Sequence, residues 1–308
     1  MKKMIYEFKM IILFIFLLFY LFIKNNCIIK NESFNLKRLN LSKEFNKLYS
    51  TLYFLAKKGK TKRPFYNKNY IIKNYPIIKN KGICLCTLGK KENLYASEFI
   101  EYYRILGFDK IIIFDNNDLN DENFENILKN YIKSKFVEII DIRGIISVQI
   151  PVFNYCYRKF NKLFDWIAFF DFDEYLYINN FKNVNNYIYN KRFEKCQSIL
   201  FNWYFYDDND LDKYDGRKMN ERFKHPKKKS SFVKSMIRGD IEDLIIPSSH
   251  ISGININYFC NINGERLFPK SFYFIKFQNY KIYINFQKSL KFFFISFNFI
   301  RINLIIEF

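Results

Sequence analysis

Hydrophobic and polar positions after residue 81 alternate between two spacings. Short, almost continuous apolar runs are typical of buried strands, and between them apolar residues recur every three or four positions, as on one face of a helix. In the first helical segment these positions are Tyr95, Phe99, Tyr102 and Leu106, and Gly107 follows as a helix-ending residue. The predicted strands are 82–88, the first part of 110–118, which ends in a polar loop, 136–142 and the apolar start of 165–176. Further helices are predicted over 121–133 and near 150–160.

Four strand–helix repeats of this kind predict an α/β fold, with a mostly parallel sheet that helices cover on both faces. Ligands of such sheets bind at the carboxyl ends of the strands. Polar residues collect at those ends in this chain, at Thr87, Asp115–Asn117 and Asp171–Glu174. The sequence therefore predicts that these residues share one ligand-binding cleft.

An uncharged apolar run covers residues 10–23. A helix of this length reaches only about 21 Å, against a hydrocarbon core of about 30 Å, but flanking lysines can extend to the interface. No small-residue cleavage site follows the run. We therefore predict a single-pass signal anchor over residues 1–24, with a cleaved signal peptide or a buried helix as alternatives. The polar residues 25–81 are predicted to form a stem or linker, in which Asn31 and Asn40 begin glycosylation sequons.

The composition gives a formal net charge of +20 over 308 residues. Such a charge is typical of proteins that bind nucleic acid or anionic membranes. Here the basic residues are spread through segments that also carry core residues, and the densest run is only Lys227–Lys229. We expect no nucleic-acid partner, while a basic protein that binds nucleic acid or anionic lipid remains an alternative hypothesis.

The cysteines and histidines do not form the ligand pattern of a zinc site, because six cysteines include no CxxC pair and only two histidines are present. Cys84 and Cys86 lie on one face of the first predicted strand, too far apart along it to bond to each other without distortion. We expect both to be buried free thiols.

Asp171, Asp173 and Glu174 gather three carboxylates within four positions at the end of an apolar strand. Unpaired carboxylates repel one another and are costly to bury, so their proximity indicates a cation. Mg²⁺ and Mn²⁺ use one or two carboxylates together with substrate phosphates and water. The spacing predicts a divalent-metal site at Asp171 and Asp173; the alternative is that these acids cap a turn or pair with surface lysines.

Several segments together carry a resemblance to a known family. The runs CLCTLGKKEN, FDNNDLNDENFENIL, DWIAFFDFDEYL, KCQSILFNWYF, VKSMIRG and SSHI resemble glycosyltransferase family 92 and its microbial relatives in the family 2-like group, over residues 82–265. The resemblance implies a GT-A transferase that takes a sugar from a nucleotide-diphospho-sugar donor to a glycan or other hydroxyl acceptor. It also implies a divalent cation, Mn²⁺ or Mg²⁺, and usually inversion at the transferred sugar.

By this resemblance, Asp171 and Asp173 would hold the metal and the sugar nucleotide, and Thr87, Asp115 and Asn117 would line the nucleotide pocket. In a eukaryote we expect a membrane protein that faces the lumen of the Golgi or endoplasmic reticulum, and in a bacterium one associated with the cytoplasmic membrane. Positive residues are more numerous after the apolar run than before it, which by count favours the opposite orientation to a lumenal enzyme.

Three further residues match motifs of the family. Arg222 and Lys234 would place a cation near the departing diphosphate and stabilise its developing charge, or each is an ordinary surface charge. His250 would be a metal ligand or a phosphate contact, or a structural histidine. Trp203, beside these motifs, is either a platform for an acceptor sugar or a core tryptophan.

An inverting transfer also needs a general base for the acceptor hydroxyl. The candidates are Asp207, Asp208 and Glu174, and the sequence does not choose among them.

The C-terminal region departs from the family pattern. Family members have a His-Tyr dipeptide before a segment that contains Lys-Ser, whereas here Lys288 and Ser289 are present without the histidine. Residues 266–308 are predicted to form an atypical hydrophobic tail, as a frameshifted or decaying C-terminus would. A catalytically impaired relative that retains nucleotide binding is therefore an alternative to an active transferase.

Overall fold

The computed structural model of the chain describes residues 41–48, 50–51, 74–145, 148–179, 181–207, 214–242, 244–250, 258–267 and 303–306. At 225–229, 231 and 303–306 only the backbone is described. The predicted anchor, both sequons, Asp208, and most of the predicted stem and tail lie outside these residues. No helix within the described ranges is long and apolar enough to span a membrane.

Four parallel strands form one half of the sheet, in the order β3-β2-β1-β4. They are β1 (Ile83–Gly89), β2 (Lys110–Asp115), β3 (Val137–Asp141) and β4 (Trp166–Phe169). Both faces are covered, which explains why β1 and β2 are apolar nearly throughout instead of alternating. These strands confirm the predicted α/β class and its leading parallel strands.

The helices lie mostly between these strands. They are α1 (41–48 and 50–51), α2 (Asn93–Leu106), α3 (Phe124–Ile127), α4 (Lys129–Lys133), α5 (Gln149–Phe160), α6 (Val184–Ile188), a 3-10 turn (Lys191–Phe193) and α7 (Met219–Arg222). Helix α2 buries Tyr95 and Phe99 as predicted, and Gly107 ends it with a left-handed φ of 100°. The single helix predicted over 121–133 is divided at Leu128, whose φ of −104° and ψ of 16° are not helical.

The other half of the sheet is mixed, and its strands are not among the predicted elements. It contains β5 (Glu174–Leu176), β6 (Ser198–Asp207), β7 (His225–Arg238), β8 (Phe259–Cys260) and β9 (Asn303–Ile306). The full order is β3-β2-β1-β4-β7-β6-β9-β5, with β8 paired to β6. Strand β7 runs antiparallel between β4 and β6. Ser235 of β7 pairs with Phe169, the last residue of β4. Because the two strands are antiparallel, the residues that precede Ser235 in the sequence lie at the edge of the sheet where the parallel strands end.

Two cysteine pairs join elements of the sheet to neighbouring segments. Cys86 in β1 is bonded to Cys156 in α5, and Cys196 is bonded to Cys260 in β8. Cys84 is a buried free thiol, as predicted. The same prediction for Cys86 is wrong, because the face of β1 that carries Cys86 lies against α5, whose cysteine comes from a distant part of the sequence.

Candidate active site

The polar strand ends predicted from the sequence lie at one edge of the sheet. Asp115 ends β2 and pairs with Gly89, the last residue of β1, while Asp171 follows β4 on the other side of β1. Since neighbouring strands are about 4.8 Å apart, the Asp115 and Asp171 backbones are separated sideways by roughly 10 Å. That spacing is compatible with one extended ligand touching both.

Residues Asp171 to Glu174 form a tight turn between β4 and β5. The Asp171 backbone amide donates to Glu174 Oε2 at 2.9 Å, and the Glu174 amide donates to the Asp171 carbonyl at 3.1 Å. Glu174 is fully buried, and its own carbonyl accepts a hydrogen bond from the Tyr103 hydroxyl at 2.7 Å. The carboxylate of Glu174 thus holds the shape of the turn that carries the two aspartates.

Lys234 of β7 reaches the same turn from within the protein. Its Nζ lies 2.6 Å from Asp171 Oδ2 and 3.3 Å from Glu174 Oε1, and its side chain has no exposed surface. The contact with Glu174 is an ion pair, since Oε1 has no partner in hydrogen-bond geometry among the described residues. Nζ also lies 5.6 Å from the centre of the Trp203 ring. The alternative interpretation of Lys234 as an ordinary surface charge is therefore wrong.

The second oxygen of Asp171 is also bound by the protein. Oδ1 accepts a hydrogen bond at 3.0 Å from Nε2 of Gln149, the first residue of α5. Gln149 is not among the predicted site residues, because a glutamine at a helix start gives no signal of such a distant contact. The alternative to a metal site is that the acids cap a turn or pair with surface lysines. Both kinds of contact are present, since Glu174 caps the turn and Asp171 pairs with a lysine, but that lysine, Lys234, is buried.

The charged groups in this cluster shift one another's pKa values. Burial raises the pKa of Glu174 well above its usual range, and Asp171 and Asp173 add to that rise while Lys234 opposes it. Burial alone would lower the pKa of Lys234, but Glu174 and Asp171 outweigh it and the net shift is upward. Lys234 is therefore a permanent positive charge behind the carboxylates.

Asp115 and Asn117 form the second part of the edge. Asp115 Oδ1 accepts hydrogen bonds from the Asn117 amide at 3.0 Å and from its Nδ2 at 2.8 Å. Asn117 Oδ1 accepts the Lys91 amide at 2.6 Å, so it ties the loop after β2 to the loop after β1. Burial raises the pKa of Asp115. Thr87 is also fully buried, and its Oγ1 has no hydrogen-bond partner in the described part of the chain.

Arg222 belongs to a neighbouring cluster. It is buried rather than on the surface, its Nη1 donates to the Tyr95 hydroxyl at 2.7 Å, and its Nε lies 3.7 Å from Asp215 Oδ1. Its guanidinium also packs 5.2 Å from the centre of the Tyr214 ring. These contacts tie Arg222 to α2 and to the segment before α7, and none of them is with the Asp171 turn.

Aromatic residues close the site beside Lys234. His250 stacks on Phe232, with ring centres 4.8 Å apart and planes 26° apart, and meets the edge of Trp203 at 5.0 Å. Burial and nearby Lys234 lower the pKa of His250, while Asp171 opposes the shift. Trp203 is only 9% exposed, as expected for a core tryptophan, whereas Phe232 is 48% exposed. Phe232 is not among the predicted site residues, because it follows a lysine- and serine-rich run without any distinguishing pattern.

The three candidate bases are placed differently. Glu174 is enclosed and bound to the Asp171 amide, whereas Asp207 is partly exposed at the end of β6, opposite His225 of β7. Asp208 lies outside the described residues.

The carboxylates of Asp171 and Asp173 are better suited to a metal ion that binds together with a phosphate-bearing ligand than to a metal ion held by the protein alone. The described residues contain no group of three histidine, cysteine, aspartate or glutamate side chains able to hold an ion. Asp171 and Asp173 offer carboxylate oxygens on one turn, and both Asp171 oxygens already accept hydrogen bonds. Mg²⁺ and Mn²⁺ commonly complete such a set with substrate phosphates and water.

Comparison with known proteins agrees with the resemblance in the sequence. The sequence profile of glycosyltransferase family 92 matches residues 79–298. A glycosyltransferase family 92 protein of Ricinus communis is 22% identical over 113 residues, which cover 37% of this chain and 20% of that protein. One of Oryza sativa subsp. japonica is 25% identical over 114 residues, which cover 37% of this chain and 18% of that protein. The chain thus spans about a fifth of the length of these curated relatives.

Among solved structures, the chain is similar to the mannosyltransferase PcManGT from Pyrobaculum calidifontis in complex with GDP-Man and Mn²⁺. The TM-score is 0.31 at 8% identity, over 53% of this chain and 45% of that chain. A similarity of this extent supports no inference about ligands.

Proposed function

Because the chain belongs to glycosyltransferase family 92, we propose that it transfers a sugar from a nucleotide-diphospho-sugar to a hydroxyl group of a glycan or another acceptor. One observation carries the proposal: the turn with Asp171 and Asp173 lies at the carboxyl edge of a parallel sheet, backed by buried Lys234. Carboxylates held at that edge are suited to a ligand that brings a cation with it.

The donor side of the site consists of Asp115 and the Asp171 turn. A divalent cation, Mn²⁺ or Mg²⁺, would supply the positive charge that stabilises the departing diphosphate. Asp171 and Asp173 would hold that cation, and Glu174 fixes the turn through the Asp171 amide. Asp115 Oδ2 accepts no hydrogen bond from the described residues, which leaves it available to a nucleotide hydroxyl.

The acceptor side would lie next to the aromatic cluster. The exposed face of Phe232 offers an apolar surface for a sugar ring, and its stacking on His250 keeps the ring in place. Trp203 supports this surface from the core. For the general base of an inverting transfer we propose Asp207 or Asp208, because Glu174 is enclosed and already binds a backbone amide.

Membrane attachment belongs to the same proposal. Residues 10–23 would anchor the protein in a single pass, and residues 25–81 would tether the transferase domain. In a eukaryotic cell that domain would face the lumen of the Golgi or endoplasmic reticulum. Retention of the full-length protein in the membrane after alkaline carbonate washing would support the anchor, whereas release with an intact N-terminus would exclude it.

A donor screen tests the proposal most simply. The full-length protein is incubated with Mn²⁺ and UDP-, GDP- or CMP-sugars, and release of the nucleoside diphosphate or monophosphate is measured. We expect turnover of one donor class by the wild type and loss of that turnover in Asp171→Ala. No turnover with any donor, together with no nucleotide binding, would overturn the proposal.

The second candidate function is that of an impaired relative that binds nucleotide without turnover. The absence of the family histidine before Lys288 favours it. Binding of Mn²⁺ and nucleotide without sugar release would identify this case, and restoring a His-Tyr pair before Phe286 would test its cause. A basic protein that binds nucleic acid or anionic lipid would instead lose affinity steeply as salt rises.

A further inference from the structure

Asp171 is shared between two roles that conflict. As the first aspartate of the turn it would hold a divalent cation, yet its Oδ2 lies 2.6 Å from the Lys234 ammonium and its Oδ1 accepts from Gln149. A lysine ammonium at this distance repels any second cation that approaches the same carboxylate. The site therefore contains a positive charge that opposes metal binding.

Lys234 cannot move aside easily. Its side chain has no exposed surface, and its Nζ is held between Asp171, Glu174 and the face of Trp203. Moving the ammonium away would leave the buried Glu174 carboxylate without its cation, which costs free energy in a low-dielectric interior. The repulsion is thus a fixed property of the folded chain.

We propose that Lys234 makes metal binding by this site depend on the donor: the carboxylate turn binds a divalent cation weakly by itself and well only together with a nucleoside diphosphate. The inference rests on the proposed function and deepens it. A diphosphate adds negative charge that offsets the lysine and supplies the oxygen ligands that the described carboxylates lack. Lys234 is therefore a positioning residue that acts through Asp171.

A lysine that opposes metal binding can be distinguished from a purely structural counter-ion. If Lys234 only balanced the buried charge, removing it together with one carboxylate would leave both the net charge and the metal affinity unchanged. The variant pair Lys234→Met with Glu174→Gln makes this change, because it removes both members of the buried ion pair. The glutamine can still accept the hydrogen bond from the Asp171 amide, so the turn keeps its shape.

The experiment measures Mn²⁺ affinity calorimetrically in the full-length protein, without nucleotide and with saturating UDP or GDP. The proteins are the wild type, the double variant, Glu174→Gln alone, and a control pair, Lys81→Met with Asp240→Asn. The control removes an exposed ion pair of 3.0 Å remote from the turn. Thermal unfolding verifies that each variant folds.

We expect nucleotide to tighten Mn²⁺ binding by the wild type and the control pair on the order of tenfold, as is typical of coupled sites. In the absence of nucleotide, the double variant should bind Mn²⁺ more tightly than the wild type does. Nucleotide should then increase the Mn²⁺ affinity of the double variant by a smaller factor than it does for the wild type. Glu174→Gln alone should bind Mn²⁺ more weakly, because it retains the lysine and loses a carboxylate. Since this single variant keeps Lys234, it tests the inference even if the double variant fails to fold.

Two failures are distinguishable. The inference is overturned, and the proposed function stands, if two results are found together. Mn²⁺ binds the wild type in the presence of nucleotide, and in the absence of nucleotide the double variant binds Mn²⁺ no more tightly than the wild type. If nucleotide has no effect on Mn²⁺ binding by any of the proteins, the metal-dependent function fails as well. Tighter binding by Glu174→Gln than by the wild type would also overturn the inference.

Discussion

Asp171 and Glu174 are joined twice, by the Asp171 amide on Glu174 Oε2 at 2.9 Å and by the Glu174 amide on the Asp171 carbonyl at 3.1 Å. The turn at the carboxyl edge is thus fixed by its own residues, without any metal. A site that is organised before its ligand binds loses less entropy on binding. The buried carboxylate of Glu174 keeps the turn in this conformation by accepting the hydrogen bond from the Asp171 amide.

Replacement of Glu174 should reveal that role in the stability of the protein. Glu174→Ala removes the acceptor of the Asp171 amide and one partner of buried Lys234, so we expect a loss of about 3–5 kcal/mol in the free energy of unfolding. Glu174→Gln keeps the acceptor of the Asp171 amide but also removes the charge beside Lys234, so it should cost less than Glu174→Ala without restoring wild-type stability. Urea unfolding of both variants measures the difference, and equal losses would contradict the role given to the hydrogen bond.

At the opposite edge of the sheet, Asp165 makes stability depend on pH. Its Oδ2 accepts the backbone amides of Asn80, Lys81 and Gly82 and the hydroxyl of Tyr189, at 2.8–3.0 Å. Burial tends to raise the pKa of Asp165, but these hydrogen bonds outweigh it and the net shift is downward. The stabilisation is therefore complete above the unfolded-state pKa of about 3.9 and is lost as pH falls through the lower folded-state pKa.

Asp165→Ala should destabilise the protein by about 2 kcal/mol at pH 7, the order typical of hydrogen bonds to a charged group. The difference from wild type should shrink as the pH falls below about 3.9, because the unfolded wild type then binds a proton that the folded carboxylate takes up only at lower pH. Urea unfolding at pH 7 and at pH 3 gives both values. A difference that is the same at the two pH values would show that the carboxylate charge is not involved.

Replacement of Phe232 should weaken binding of the acceptor and leave binding of the donor unchanged. Phe232→Ala removes the exposed ring that stacks on His250, so we expect the KM for the acceptor to rise on the order of tenfold, as for loss of one base-stacking aromatic. The KM for the donor should be unchanged. Leu163→Ala, at another exposed apolar residue, is the control. An unchanged acceptor KM in Phe232→Ala would remove this residue from the acceptor site.

The bond between Cys196 and Cys260 should contribute measurably to stability. It closes a loop with a sequence separation of 64 residues, and a loop of that length implies a contribution of about 4 kcal/mol in the chain-entropy treatment. The double variant Cys196→Ala, Cys260→Ala should therefore unfold at markedly lower urea concentration than the wild type. A midpoint that does not change would show that the bond is absent in the purified protein.

The local pattern of the sequence was sufficient to predict the first half of the sheet. Apolar runs with helical segments between them located β1 to β4, and Gly107 located the end of α2, because both signals depend on neighbouring residues. The position of Asp171 at a strand end followed from the same pattern. These features need no knowledge of which distant segments meet.

Distant contacts could not be predicted in this way. Lys234 occurs in a strand that inserts antiparallel beside β4, and nothing in VKSMIRG indicates which carboxylate its ammonium meets. Gln149 and Phe232 were missed for the same reason. The bond between Cys86 and Cys156 depends on the packing of α5 on β1, which the spacing of cysteines does not reveal.

We propose that sugar transfer depends on a divalent cation held by Asp171 and Asp173. The initial rate of sugar-nucleotide turnover against Mn²⁺ concentration tests it directly, for the wild type, Asp171→Asn, Asp173→Asn and the remote control Asp240→Asn. We predict that chelator abolishes wild-type turnover and that either active-site variant lowers kcat on the order of 10²- to 10³-fold, with the control unaffected. Wild-type turnover that persists in chelator, or undiminished turnover in both active-site variants, would contradict the claim.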